Sequence, residues 1–182
     1  KKINNFNKVY LSLNKKDLFI FPTSTFYETS RSTLDNEVNM YVEYIVSRTK
    51  TSENIICIKP HPGSNLKKIF NIEEKLRKKG YELFNWESCF NSLDDNFIPF
   101  SVLPLEVFIK LLIDKFNLNY QKFKLVVSSN ASLSCLILHP KLITINAFSD
   151  NLIKKYLNKK YVDRRVEQER LIEIYKKGLF CD

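Results

Sequence analysis

The sequence predicts an α/β fold, a Rossmann-like parallel sheet with helices on both faces, in a single domain that spans residues 1–182. Short runs of aliphatic and aromatic residues alternate with longer segments of helical periodicity, which is typical of repeated βαβ units. Several of the short runs are apolar throughout, as expected of strands buried on both faces. With 182 residues, 44% of them hydrophobic, the chain can bury one sizeable core.

The order of the elements follows from these patterns. Five runs are predicted as strands, at residues 18–22, 55–58, 81–85, 124–128 and 141–148. Four segments are predicted as helices, at residues 37–48, 66–79, 104–116 and 132–138.

Three local signals support this order. Gly80 follows "RKK" and should end a helix, because glycine adopts the left-handed conformation of a helix terminus without strain. Pro104 suits a first helical turn. Residues 162–175 have apolar positions near helical spacing, which predicts an amphipathic helix packed on the sheet or on a partner domain.

Composition restricts the function classes. Lys and Arg outnumber Asp and Glu by 29 to 20, and the net charge of +9 favours anionic partners. No apolar run approaches the roughly 20 residues of a membrane span. The four cysteines, at positions 57, 89, 135 and 181, form no CxxC pair, which favours a reduced, cytoplasmic setting without structural zinc.

The candidate ligand-binding residues are those that follow the predicted strands, since open parallel sheets bind ligands beyond the carboxyl ends of their strands. Three glycines in the whole chain exclude a glycine-rich phosphate loop. Thr23, Ser24 and Thr25 follow the first strand and are small hydroxyl donors. In "KPHP" after the second strand, the prolines hold Lys59 and His61 in extended backbone, although a stiffened surface loop accounts for this motif equally well.

Serines dominate the segment after the fourth strand. Ser128, Ser129 and Ser132 can cap the next helix and can also bind a phosphate or carboxylate, and capping alone accounts for any one of them. Glu106 lies in a first helical turn, where a carboxylate complements the helix dipole and can accept hydrogen bonds from ribose hydroxyls. His139 is predicted to end a helix.

In chain order, "KPHP", "IPFSVLPLEVF" and "VVSSNAS" resemble the nucleotide-sugar-binding half of bacterial GT-B sialyltransferases, the enzymes of lipooligosaccharide and capsule synthesis. The resemblance spans residues 18–140 and includes "FPTSTF" at its start. It implies CMP-sialic acid as the donor, a glycan acceptor, and inverting transfer with no metal or other cofactor.

The resemblance also implies roles for individual residues. His61 would contact the donor phosphate and assist the departure of CMP. Ser128 and Ser129 would bind that phosphate, with Ser132 as the alternative register. The remaining nucleotide-binding positions would be Glu106 at the ribose, Thr23, Ser24 and Thr25 lining the site, and Lys59 and Pro62 beside His61.

One departure concerns the general base. The family places it in a D/E-D/E-G motif upstream of the His-Pro motif, whereas the Asp94–Asp95 pair here lies downstream and is followed by Asn96. We therefore predict a solvated turn at this pair and expect the base in an N-terminal domain outside this chain. The chain would then be the C-terminal part of a longer two-domain protein, inactive on its own.

Three alternatives stay open. A related transferase would use CMP-Kdo. A teichoic-acid glycerophosphotransferase would use CDP-glycerol, although Val126 and Val127 replace the Asp-Tyr usual before its serines. A non-catalytic basic module would bind nucleic acid or an anionic surface. The basic C-terminal end also allows peripheral contact with the inner face of the cell membrane, next to the simpler interpretation as a solvated helix end.

Overall fold

The computed structural model describes residues 12–13, 15–84, 100, 102–116, 119–146 and 148–178. These residues contain a five-stranded sheet with strand order β3-β2-β1-β4-β5, in which every pair is parallel. The predicted α/β class is therefore confirmed. The strands are β1 Asp17–Pro22, β2 Asn54–Lys59, β3 Glu82–Leu83, β4 Phe123–Val127 and β5 Ile143–Asn146.

The described residues also contain six α-helices, and a 3-10 turn at Tyr120–Lys122 precedes β4. The helices are α1 Leu34–Arg48, α2 Leu66–Lys78, α3 Leu105–Phe116, α4 Asn130–Leu138, α5 Asp150–Tyr156 and α6 Lys159–Gly178.

Helix α1 begins three residues before the predicted start, because the Thr33 side chain caps it by accepting a hydrogen bond from the Asn36 N–H. Helix α5 was not predicted from the sequence, and it begins after a similar cap at Ser149. Gly80 has φ +83° and follows the end of α2, as predicted. His139 is the C-cap of α4, also as predicted.

The sheet separates two hydrophobic clusters, so helices cover both of its faces. Helices α1, α2 and α5 contribute to one cluster, and α3 and α4 contribute to the other. Strand β1 lies at the centre, where Phe19 and Phe21 enter the first cluster and Leu18 and Ile20 enter the second. These alternating contacts account for the continuous apolar run of this strand.

The strand order reverses on either side of β1, which makes the β1–β4 boundary a topological switch point. Pro22 pairs with Lys59 on β2, and Ile20 pairs with Leu125 on β4. Because the strands are parallel, the segments that follow β1, β2 and β4 all emerge at one edge of the sheet. The three segments that the sequence predicts to bind a ligand therefore lie at the same edge.

Some sequence predictions fall outside the described residues. These are Cys89, Cys181, the Asp94–Asp95 pair, the end of the predicted strand at residue 85 and residue 147 of the last predicted strand. Cys57 and Cys135 are both buried. Within the described ranges, no helix combines the length and apolarity that a membrane crossing requires.

Candidate functional site

Thr23 joins the segments that follow β1 and β2. Its backbone N–H donates to the Lys59 carbonyl at 2.9 Å. Its hydroxyl accepts a hydrogen bond from the His61 N–H at 3.0 Å and contacts the Ser64 hydroxyl at 3.0 Å. Thr23 is buried, so these bonds fix the start of the His-Pro loop, which we define as residues 60–65.

The His61 side chain is exposed at this edge. Its Nδ1 accepts a hydrogen bond from the Gly63 N–H at 3.0 Å. The neutral imidazole therefore carries its proton on Nε2, and the ring presents an N–H donor away from the loop. Pro62, in the same loop, is also exposed.

A buried ionic cluster supports the segment that follows β1. Lys68 is fully buried, and its ammonium donates to the Ser24 carbonyl at 2.7 Å, Glu28 at 2.9 Å and Glu37 at 3.0 Å. The Tyr41 hydroxyl donates to Glu37 at 2.5 Å and accepts a hydrogen bond from the Ser24 N–H at 2.9 Å. We call Lys68, Glu28, Glu37 and Tyr41 the Lys68 cluster.

The cluster also fixes the backbone beyond Ser24. The Glu37 carboxylate accepts hydrogen bonds from the Phe26 N–H at 3.4 Å and the Tyr27 N–H at 2.6 Å. Burial and the adjacent Glu37 charge raise the pKa of Tyr41 well above its usual range, so this hydroxyl stays protonated. Burial raises the pKa of Glu28, but hydrogen bonds from the Asn65 N–H and Lys68 outweigh it, and the net pKa is lowered.

The serine turn, residues 128–132, follows β4 and forms a capping box. The Ser132 hydroxyl donates to the Ser129 carbonyl at 2.8 Å and accepts from the N–H groups of Ser128 at 3.0 Å and Ser129 at 2.9 Å. Ser132 is fully buried and its hydroxyl is engaged within the turn, whereas Ser129 is half-buried. The N-terminus of α4, with the N–H donors that a helix leaves without intrahelical partners, therefore lies at the binding edge.

Lys59 and Glu106 lie near each other beside this edge. Lys59 is buried, its ammonium donates to the Pro60 carbonyl at 2.9 Å, and it lies 5.0 Å from the centroid of the Phe100 ring. Burial lowers the pKa of Lys59 to about 8, and the electrostatic interactions of Lys59 with Cys57 and Glu106 oppose this effect. Lys59 thus carries its positive charge close to the half-buried Glu106 at neutral pH.

The negative charge of Glu106 also affects the Cys135 thiol. Burial, together with the negative charge of Glu106, raises the pKa of Cys135 to about 12. Cys135 is therefore a neutral thiol within the core.

Arg165, on α6, connects the segments after β1 and β4. Its guanidinium donates to the Ser128 carbonyl at 3.1 Å and pairs with Glu169. The guanidinium carbon lies 5.1 Å from the Phe26 ring centroid and 5.6 Å from that of Phe148. Burial raises the pKa of Glu169 to about 7, against the opposite effect of Arg165. Sequence reasoning missed Arg165, because "DRRVEQER" has the composition of a solvated helix face.

Two cavities border α6. One, of about 310 Å³, is lined by the end of β4 at Val127, by Asn146 of β5 and by Glu169. The other, of about 520 Å³, lies between α6 and the segment after β1. Among the described residues, no group of three or more His, Cys, Asp or Glu side chains is arranged to hold a metal ion.

The structure therefore brings most of the sequence-predicted site residues to one edge, in different states of exposure. The exposed or half-exposed ones are Ser24, Thr25, His61, Pro62, Glu106 and Ser129, and the buried ones are Thr23, Lys59, Ser128 and Ser132. No protein-family model, curated protein or solved structure matches the chain.

Proposed function

We propose that this edge of the sheet binds the phosphate of a cytidine-activated sugar, and that the chain is the donor-binding half of an inverting, metal-independent sialyltransferase acting on a cell-surface glycan. The observation that carries the proposal is the His61 imidazole. It is exposed beyond β2, held by a hydrogen bond from Gly63, and directs its Nε2–H donor outward. The order of the sequence motifs and the topological switch point support the same ligand class.

The proposed reaction needs charge stabilisation on the leaving group. The acceptor hydroxyl forms a bond to the anomeric carbon as the bond from that carbon to the CMP phosphate oxygen breaks, and a base outside this chain takes the hydroxyl proton. The electron pair of the broken bond stays on the phosphate. Donors aimed at that oxygen lower the barrier, because they are already oriented when the charge develops. His61 Nε2–H and the N-terminus of α4 supply such donors.

The serine turn has a divided role in this proposal. Ser129 and the first N–H groups of α4 contact the phosphate. Ser128 and Ser132 are buried and act by holding the turn in shape, since the Ser132 hydroxyl accepts hydrogen bonds from the N–H groups of Ser128 and Ser129. Glu106 binds the ribose hydroxyls in this proposal.

Calorimetry on single variants tests the phosphate contact. His61→Ala should weaken CMP binding by about tenfold, the effect of losing one hydrogen bond to a charged group, and should leave cytidine binding unchanged. His139→Ala, the only other histidine-to-alanine change that the chain allows, should affect neither ligand. Equal losses of CMP and cytidine affinity in His61→Ala would contradict the phosphate contact.

Ligand choice separates the competing functions. The wild-type chain should bind CMP more tightly than UMP or CDP-glycerol, and CMP-sialic acid more tightly than CMP-Kdo. A preference for CDP-glycerol would favour a glycerophosphotransferase. The net charge of +9 supports a second candidate, a basic nucleic-acid-binding module. Strongly salt-dependent binding of oligonucleotides without a preference for cytidine would favour that module.

The proposed location is the cytoplasm, with contact at the inner face of the membrane through the basic C-terminal end. Co-sedimentation with vesicles of anionic and of neutral lipid tests this contact, which should appear only with the anionic vesicles.

A further inference from the structure

The cavity of about 520 Å³ between α6 and the segment after β1 has a lining that the proposed phosphate site does not use. We call it the arginine cavity, because Arg31, Arg164 and Arg165 line it together with one carboxylate among the described residues, Glu167. The Glu167 side chain is 61% exposed and lies 3.9 Å from Arg170, which offsets its charge. Since Arg165 is paired with Glu169, the excess positive charge of the cavity comes from Arg31 and Arg164.

Arg165 carries a donor that the protein leaves unused. Its side chain is 6% exposed, and its Nε–H is buried without a hydrogen-bond partner in the described part of the chain. A buried donor without an acceptor is destabilising, and native proteins contain few of them. An anion bound in the cavity would supply the missing acceptor after a small shift of the guanidinium.

The wall that carries Arg31 is held rigidly. Ser30 has φ +56°, a left-handed conformation that residues with a side chain rarely adopt. The carbonyls of Ser30 and Arg31 each accept a hydrogen bond from Asn158 at 2.9 Å, and the Ser32 hydroxyl donates to the Tyr156 carbonyl at 2.7 Å. These bonds tie the segment before α1 to the junction of α5 and α6, so the Arg31 backbone is preorganised.

The same cavity also has apolar walls. Phe26, Leu157, Tyr161 and Leu171 line it. The Arg31 guanidinium lies 5.8 Å from the Tyr161 ring centroid, which places a cation and an aromatic surface side by side. A simple inorganic anion would use only the arginines, whereas an anion joined to a ring would contact both kinds of wall.

We propose that the arginine cavity is a binding site for a small organic anion, a phosphate or carboxylate attached to a ring. The arginines bind the anionic group, and Phe26, Tyr161 and the two leucines contact the ring. His61, Ser129 and Glu106 do not line the cavity, so this site stands independently of the proposed sugar-nucleotide function.

Titration calorimetry with three probes tests the ligand class. Phenyl phosphate should bind saturably, inorganic phosphate should bind more weakly, and benzyl alcohol should not bind. Arg31→Gln and Arg164→Gln should each weaken phenyl phosphate by about tenfold, because each removes a charge-assisted hydrogen bond. Neither change disturbs the core, since the Arg164 side chain is exposed and that of Arg31 is half-exposed.

Two control variants make the result specific. Arg77→Gln removes the same charge from an exposed position on α2, away from the cavity, and should leave phenyl phosphate binding unchanged. His61→Ala reports separately on any binding of the probe at the His-Pro loop. Absence of saturable binding, or an equal loss in Arg77→Gln, would overturn the inference. A loss in His61→Ala with none in the cavity variants would overturn it too, by placing the probe at the His-Pro loop.

Discussion

Lys68 is the residue whose removal should affect stability most clearly. Its ammonium is fully buried and has two carboxylate partners, Glu28 and Glu37, the second of which is also fully buried. Lys68→Met keeps most of the side-chain volume and removes the charge. Glu37 then remains as a buried carboxylate without its cation, which is the costly outcome of breaking a buried ion pair.

The expected loss is about 3 kcal/mol, at the lower end of the roughly 3–5 kcal/mol typical of broken buried pairs. The lower end applies because Glu37 keeps hydrogen bonds from the Tyr41 hydroxyl and two backbone N–H groups. In addition, Glu28 is 18% exposed and regains water. For a chain of this size, about 3 kcal/mol corresponds to a fall in Tm of about 6–12 °C.

Urea denaturation and thermal melting measure this loss. Lys67→Met is the matched control, because Lys67 is the preceding residue on the same helix and its side chain is exposed. It should change the free energy of unfolding by no more than about 0.5 kcal/mol. A double-mutant cycle with Glu37→Gln should be non-additive by about 1–3 kcal/mol. Equal effects of Lys68→Met and Lys67→Met, or an additive cycle, would refute the reasoning.

Three further predictions concern single residues. The pKa of about 7 for Glu169 exceeds its ordinary value of 4.5, so the stability that its protonated form provides is complete below about pH 4.5 and is lost as the pH rises through 7. Glu169→Gln should therefore flatten the dependence of the urea midpoint on pH in this range. An unchanged dependence would contradict the assignment of this pKa to Glu169. Ser129→Ala should cost about 1 kcal/mol in urea denaturation by removing the cap of α4. Ser129→Asp should keep that stability but lose CMP binding by charge repulsion, and retained CMP binding would argue against phosphate at the serine turn. Gly80→Ala should cost about 1–2 kcal/mol because φ is +83° there; steric contact does not contribute, since an added Cβ meets nothing closer than 4.0 Å. Gly178→Ala should cost nothing. Equal effects of the two changes in thermal melts would show that backbone conformation is not the cause.

The predictable part of the fold rests on local signals. Continuous apolar runs predicted the buried strands, and Gly80 predicted the end of α2, because strand burial and a left-handed terminus each require specific residue types. The start of α1 was placed too late. Thr33 and the acidic residues after it were a usable capping signal for the true start.

The supporting residues of the site could not be predicted in the same way. Lys67 and Lys68 are adjacent and chemically identical, yet one is exposed and the other is fully buried. The difference arises from Glu28 and Glu37, which lie far from Lys68 in sequence and meet it only after the sheet and helices pack. Arg165 is similar, because its partner at Ser128 is 37 residues away.

The contact between Arg165 and the Ser128 carbonyl has a consequence for the order of folding. During synthesis, the central strands emerge from the ribosome well before α6, so the carbonyl of Ser128 and the rings of Phe26 and Phe148 lack the Arg165 guanidinium until α6 has also emerged. A nascent chain or a fragment that stops before Lys159 would contain all five of the described strands and still have an incomplete binding edge. Completion of this edge therefore waits for the synthesis of α6.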